Sequence, residues 1–276
     1  MNNFFDFCKG LGIESNHQIL IHSSFSAINR AFSISPEETI IQLKKLVSPD
    51  SGSIIFPAFT YCFKKSDGTN EIFDRLNSPS KVGFLSEEFR KSSGVVRTSS
   101  PTHSFSLWGK IIKIIPETNS PESPLGENSV CQYLVNHPSS HVLMLNTDFS
   151  SFTLGHHYEI ICKVPWFNFS PWDYMNVEEY GVSTQGLQKL KEIPGCAKSF
   201  VSIEKHLLNK KLINKIFYNS FFAYYFDVKS IHEELIYFFR NNYSSLLCRE
   251  GACKACDSRR IFIQKEGKHE KHLDHF

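Results

Sequence analysis

The sequence predicts an α/β protein on two observations. Short apolar strands alternate with segments of helical spacing, and polar residues close the strands. Composition agrees: 25 phenylalanines, 41% hydrophobic and 21% charged residues in a chain of 276 suit packed layers rather than a disordered polymer.

Gln18 to His22 is the first short apolar strand. Pro36 to Val47 sets Ile40, Ile41, Leu43 and Leu46 at helical spacing, with Ser35 as N-cap and Glu38 completing a capping box. Ser53 to Pro57 is the next buried strand, and Ser80 to Lys91 reads as a helix bringing Phe84, Leu85 and Phe89 to one face. A turn at Pro124-Leu125-Gly126 leads to a helix over Val130 to Val135, then a strand over Val142 to Leu145 and a helix over Thr153 to Lys163. In such sheets functional residues gather at the carboxyl ends of strands, where His22, Thr60 and Asn146 stand. Beyond Asn209 the chain turns to aromatic, helix-like sequence, a cysteine cluster and a His-rich tail. Residues 1–209 are therefore expected as the core and 210–276 as a C-terminal appendage packed on it.

A net charge of +2 without a lysine-rich block argues against a nucleic-acid partner. No basic and apolar leader opens the chain, and no apolar stretch nears the ~18 residues of a membrane span. Cys8, Cys62, Cys131, Cys162 and Cys196 stand singly, as reduced thiols would. The cytoplasm is the expected compartment.

Several segments carry chemistry. His22-Ser23-Ser24-Phe25-Ser26 offers hydroxyl and backbone donors after a strand, although by itself it is also an ordinary capped turn. Pro57 to Thr60 closes another strand, and Phe73-Asp74 leads through a turn to the acidic Glu87-Glu88. Arg97-Thr98-Ser99-Ser100-Pro101-Thr102-His103-Ser104-Phe105 has the donors of an anion site. In Thr153-Leu154-Gly155-His156-His157-Tyr158-Glu159, helical spacing aligns Thr153, His156 and Glu159. A carboxylate beside an imidazole suits a general base; a His–Glu pair on a solvated helix has the same spacing. His157 points about 100° away and is expected to tolerate substitution.

Together, in this order, these segments resemble the aminoglycoside 3-N-acetyltransferase family, closely over residues 19–163 and loosely over 165–200. The resemblance implies a three-layer α/β/α sandwich around a mixed sheet, with acetyl-CoA as co-substrate and direct acetyl transfer to an amine. It implies His156 as base, assisted by Glu159 and by Glu178 or Glu179. It places the pantetheine arm and phosphates on His22, Ser23, Ser24, Phe25, Ser26, Arg97, Thr98, His103, Ser104 and Phe105. The acceptor would meet Thr60, Asp74 and Thr153. Ser100 replaces a usual histidine, and Asn146 stands where glycine is common, which would alter the pocket floor. Because 28 acidic residues face 30 basic ones and few acids cluster outside Glu87-Glu88 and Glu178-Glu179, the expected acceptor is less cationic than an aminoglycoside. The expected partners are this small amine and acetyl-CoA, with a homodimer left open.

The commoner acetyltransferase pyrophosphate turn is missing: its nearest match, Glu192 to Ala197, opens with an acid. A serine hydrolase would need a nucleophile elbow, which the chain lacks. The non-enzyme alternative is a zinc-stabilised binding module. Cys248, Cys253 and Cys256 have the spacing C-x4-C-x2-C, with His269 or His272 to complete a structural zinc site. Such a site is expected outside the transfer machinery, so that its loss would lower stability and spare the chemical step.

Overall fold

The computed structural model describes residues 3–115, 122–169, 172–191 and 195–273. The chain opens with α1 (Phe4–Gly10), β1 (Gln18–Ser23), α2 (Phe25–Phe32) and α3 (Pro36–Lys45). Ser35 Oγ accepts from Glu38 N at 3.1 Å, as its N-cap role requires. The other half of the capping box is absent, because Glu38 Oε1 accepts instead from Gln42 Nε2 at 2.9 Å.

There follow β2 (Ser53–Pro57), β3 (Phe63–Lys65), α4 (Phe84–Lys91), β4 (Val96–Arg97) and β5 (Phe105–Gly109). Helix α4 starts four residues later than the sequence suggested. Gly83 sits at φ 130°, outside any helix, and Ser80 N is held by Glu87 Oε2 at 2.7 Å. Then come α5 (Val130–Asn136), β6 (Ser140–Leu145), α6 (Leu154–Ile161), α7 (Trp172–Met175), β7 (Val177–Ser183) and β8 (Gly186–Lys189). The chain closes with α8 (Val201–Asn209), β9 (Lys215–Tyr218), β10 (Phe221–Asp227), α9 (Val228–Asn241) and α10 (Lys254–Leu273).

Seven strands form the main sheet in the order β4-β5-β2-β1-β6-β10-β9. It is mixed, with β1 parallel to β2 and β6 while β5 and β10 run antiparallel to their neighbours. The central strands are buried on both faces, which is why their centres read as unbroken apolar runs. Alternate residues divide between two cores. Ile19, Ile21, Phe56 and Leu143 pack with Phe7, Ile28, Leu43 and Phe89 on one face. Leu20, Ile55, Val142 and Met144 pack with Leu134, Tyr158, Leu207 and Leu235 on the other. The result is a three-layer α/β/α sandwich, with a small sheet β3-β7-β8 beside it.

The C-terminal quarter differs in part from the helices expected there: α9 is one, but the chain before it is not helical. The aromatic stretch after Asn209 is a hairpin of β9 and β10, turned at Asn219 (φ 53°). Strand β10 lies against β6, with Ala223 opposite Leu145. Residue 209 is therefore no boundary in the sheet. A run of aromatics fits a buried strand and a buried helix equally well, and long-range pairing decided between them. Asn146 adopts the left-handed conformation at φ 51° that glycine or asparagine tolerates. It lines an adjoining surface cavity with Glu204 and Lys215 and is not among the residues lining the cavity beside His156.

Candidate active site

Helix α6 follows β6 and is buried along most of its length. Its i, i+3 spacing sets His156 beside Glu159, with Nδ1 2.6 Å from Glu159 Oε2. The imidazole packs against the Phe200 ring at 4.9 Å. Gly155 is required there, since a Cβ would collide with Phe200. Glu159 is only 4% exposed, yet three side chains satisfy it: His156, Trp166 Nε1 at 3.1 Å and Arg259 Nη1 at 3.4 Å. Burial works against its charge, but the Arg259 cation and then His156 more than offset this and hold the carboxyl below its usual range. Arg259 is itself 3% exposed and lies over the Trp166 ring at 5.3 Å. The carboxylate is thus a fixed buried anion that aims the ring through Nδ1 and leaves Nε2 as the other edge.

That ring borders a cavity of about 430 Å³ at the carboxyl ends of β1 and β2. His22, Ser23, His103, Ser150, Ser151 and Thr153 supply its polar lining, with Phe59, Tyr61, Val82 and Ala197 among the apolar walls. Burial pushes both His22 and His103 down to about 3, with His156 adding to the effect at His103, so both rings are neutral near pH 7. His22 Nε2 is buried without a hydrogen-bond partner, a group left for a ligand to satisfy. No carboxylate lines the cavity among the described residues.

The expected site residues separate on this geometry. His22, Ser23, His103, Thr153 and His156 meet at the cavity, and Glu159 stands behind. Ser24, Phe25 and Ser26 form the first turn of α2 beside it, with Ser24 and Ser26 Oγ 3.3 Å apart.

The rest of the Arg97 loop is structural. Arg97 donates through Nε to Ser104 Oγ at 2.9 Å, and through its two Nη groups to the carbonyls of Ser78 and Ala58. Burial, and then Arg90, push its pKa down to about 10. Thr98 Oγ1 accepts from Phe105 N at 2.9 Å, Ser104 Oγ donates to Ala58 O at 2.8 Å, and Phe105 is core. The assignment of Arg97, Thr98, Ser104 and Phe105 to the co-substrate is corrected accordingly, since their polar atoms already brace three chain segments. Arg97→Lys should therefore lower stability by about 1–3 kcal/mol through stranded carbonyls and leave the KM for acetyl-CoA nearly unchanged. A large rise in that KM at undiminished Tm would restore the phosphate role.

Three other expectations also change. Thr60 is buried and donates to Pro101 O at 2.6 Å, and Asp74 caps its own turn through Leu76 N and Asn77 N. Neither lines the cavity. Glu178 pairs with Lys64 at 2.6 Å and Glu179 with Lys189 at 3.6 Å on the small sheet, 42% and 47% exposed. Both are half-exposed ion-pair partners, and neither lines the cavity that His156 borders, so the structure gives neither a contact with the histidine they were expected to assist. His157 is buried and donates through Nδ1 to Leu125 O at 2.8 Å, so it is a structural residue that will not tolerate alanine freely.

At the C-terminus, Cys248, Cys253 and Cys256 converge as expected, but Cys196 completes the group; the four Sγ atoms lie within 4.8 Å of one another. His269 and His272, the expected fourth ligands, are not part of this group of four. Their side chains lie outside the described residues. The sequence reading also missed Arg259, Trp166 and Gly195. A thiol trio short of a tetrahedral fourth ligand was a signal for Cys196. Nothing in the sequence connects Arg259 to a carboxylate a hundred positions earlier.

Comparison with known proteins bears on the family and the fold. The family profile described as Aminoglycoside 3-N-acetyltransferase matches residues 20–240. The fold is similar to that of aminoglycoside acetyltransferase AAC(3)-IVa as apoenzyme, at 22% identity and TM-score 0.76 over 94% of this chain and 95% of that one. A mutant of the same enzyme in complex with a gentamicin gives TM-score 0.74 at 22% identity over 92% and 93%. AAC-IIIb in its binary complex with CoASH gives 0.68 at 18% identity over 86% and 95%. No curated protein matches the sequence. Among the described residues no helix is long and apolar enough to cross a membrane. With the profile spanning most of the chain, the protein belongs to the aminoglycoside 3-N-acetyltransferase family of acyltransferases.

Proposed function

We propose that this chain transfers an acetyl group from acetyl-CoA directly to the amine of an amino sugar or aminoglycoside-like acceptor, with His156 as general base. The 2.6 Å contact of His156 Nδ1 with buried Glu159, at the edge of the cavity, carries the reading. With Nδ1 engaged by the carboxylate, Nε2 is the basic edge. It takes a proton from the acceptor nitrogen as that nitrogen attacks the thioester carbonyl carbon. The C–N bond forms, the C–S bond breaks, and the proton returns from the imidazolium to the departing CoA sulfur. Glu159 stabilises the imidazolium meanwhile, worth roughly 10²–10⁴ in rate together with the base. Ser23 to Ser26, at the end of β1 and the first turn of α2, would hold the pantetheine arm and phosphates through their hydroxyls and the first backbone N–H groups of α2.

The acceptor is a weakly cationic amine. Polycations call for carboxylates in the pocket, whereas this cavity offers hydroxyls, aromatic rings and neutral imidazoles. A cytoplasmic enzyme acting on such a small amine, as monomer or homodimer, fits these features. Acetyl-CoA consumption against aminoglycosides, amino sugars and nucleotide-linked amino sugars tests the reading. An amino sugar should give a kcat/KM at least tenfold above gentamicin's. The reverse order would overturn the acceptor assignment, and no turnover with any amine would overturn the reaction.

A further inference from the structure

We propose that Cys196, Cys248, Cys253 and Cys256 form a tetrathiolate site for one zinc ion, and that this site holds Arg259 against the carboxylate behind the catalytic histidine. The second part rests on the function proposed above; the first stands without it.

Four thiol sulfurs from three separate chain segments come within 4.8 Å of one another, and Cys196 and Cys248 Sγ are 3.6 Å apart. A tetrahedral zinc with Zn–S bonds of about 2.3 Å needs sulfur separations of ~3.8 Å. The spacing therefore matches a single ion and is too tight to enclose a multi-iron cluster. All eight cysteines are free thiols, so no disulfide competes for these four. On binding, each thiol releases its proton and ligates as thiolate. Lys198 N donates to Cys196 Sγ at 3.4 Å, the kind of N–H contact that supports a thiolate. Cys253 immediately precedes α10 and Cys256 lies in its first turn, where the helix dipole favours negative charge. Arg260 pairs with Asp257 at 2.7 Å and donates to Cys248 O, pinning the loop between the outer cysteines.

The site also touches the chemistry. Cys256 and Arg259 are neighbours three apart on α10, and Arg259 reaches Glu159. Cys196 is flanked by Gly195 and Ala197, both of which line the cavity. The Gly195 backbone lies so close to the Arg259 guanidinium that a Cβ there would collide with it. One ion would thus clamp the cavity wall to α10 and fix the guanidinium between them. The expectation that this cluster lies outside the transfer machinery is replaced by a direct route of three contacts: thiolates to α10, Arg259 to Glu159, Glu159 to His156.

Elemental analysis of full-length protein purified without a metal-affinity tag should find about one zinc per chain. Co²⁺ offered alone to stripped protein should give the tetrahedral four-thiolate absorption. Alkylation mapped by mass spectrometry should find Cys196, Cys248, Cys253 and Cys256 protected until a chelator is added, a reading that needs no variant to fold. Cys196→Ser should lose the metal. In stripped protein that keeps its far-ultraviolet circular dichroism, kcat should fall at least tenfold and return with Zn²⁺, while KM for acetyl-CoA moves less than threefold. Metal-free wild type, a Cys196–Cys248 disulfide, or zinc retained in Cys196→Ser would overturn the site. Full kcat in stripped, folded protein would overturn only its coupling to Glu159, and inactivity of the zinc-loaded enzyme towards every amine would count against the function and not the metal.

Discussion

His156→Ala is expected to lower kcat by about 10²–10⁴-fold while changing the KM for acetyl-CoA little. The imidazole acts on the acceptor proton in the transition state, and the co-substrate is bound by other groups. Glu159→Gln should reproduce part of the loss, because it keeps the side-chain volume and removes the charge that stabilises the imidazolium. The ring contributes packing against Phe200 as well, so each variant needs a melting curve alongside its kinetics. A folded His156→Ala protein within tenfold of wild-type turnover would remove the general base from the mechanism. His157→Ala is a control of the opposite kind: it should lower Tm through the lost bond to Leu125 O, with a smaller effect on the chemical step.

Arg259→Met should be the most destabilising single change at the site, by about 3–5 kcal/mol, because it leaves Glu159 buried without its cation. The corresponding fall in Tm is roughly 10 °C for a chain of this size. Glu159→Gln in the Arg259→Met background should restore part of that loss, since it removes the stranded charge; purely additive effects would refute the pairing. Acid stability provides a second readout. The folded Glu159 carboxyl titrates below its unfolded value, so it contributes stability that is fully present above the ordinary carboxylate pKa of about 4.3. That contribution is lost as pH falls through the depressed folded value. Without Arg259 the folded value rises, so the loss on acidification sets in at higher pH. The acid limb of kcat/KM should move in the same direction, because ionised Glu159 orients His156. Arg259→Lys should recover part of both effects, and an unmoved acid limb in Arg259→Met would reduce the arginine to a packing residue.

Much of the sheet was legible along the chain. Strands buried on both faces need apolar centres, and β1, β2 and β6 carry them at Ile19–Ile21, Ile54–Phe56 and Val142–Leu145. Helix starts were legible where a capping side chain marks them, as at Ser35. The aromatic stretch of β9 and β10 was not, because its period was masked by residues that suit either element. Its place in the sheet depends on β6, some eighty positions earlier. The Arg97 loop misled for a related reason. Residue type shows that a guanidinium can bind an anion, but not that the carbonyls of Ser78 and Ala58 have already taken its donors. Likewise an acidic pair such as Glu178-Glu179 has the right chemistry for catalysis wherever it lies, and here lysines neutralise both on an outer sheet.

By itself the sequence determined what one helical turn determines: His156 and Glu159 share a face of α6, and the residues around them spell a family. Helical spacing is a short-range geometric rule, so it needs no knowledge of the rest of the chain. Only the tertiary structure decided whether Glu159 would face water or sit as a buried anion against Trp166 and Arg259. It also decided which thiol would complete the cluster of Cys248, Cys253 and Cys256. Desolvation and partners brought in from distant segments set the chemistry of a charged group, and both come into being only when the layers pack.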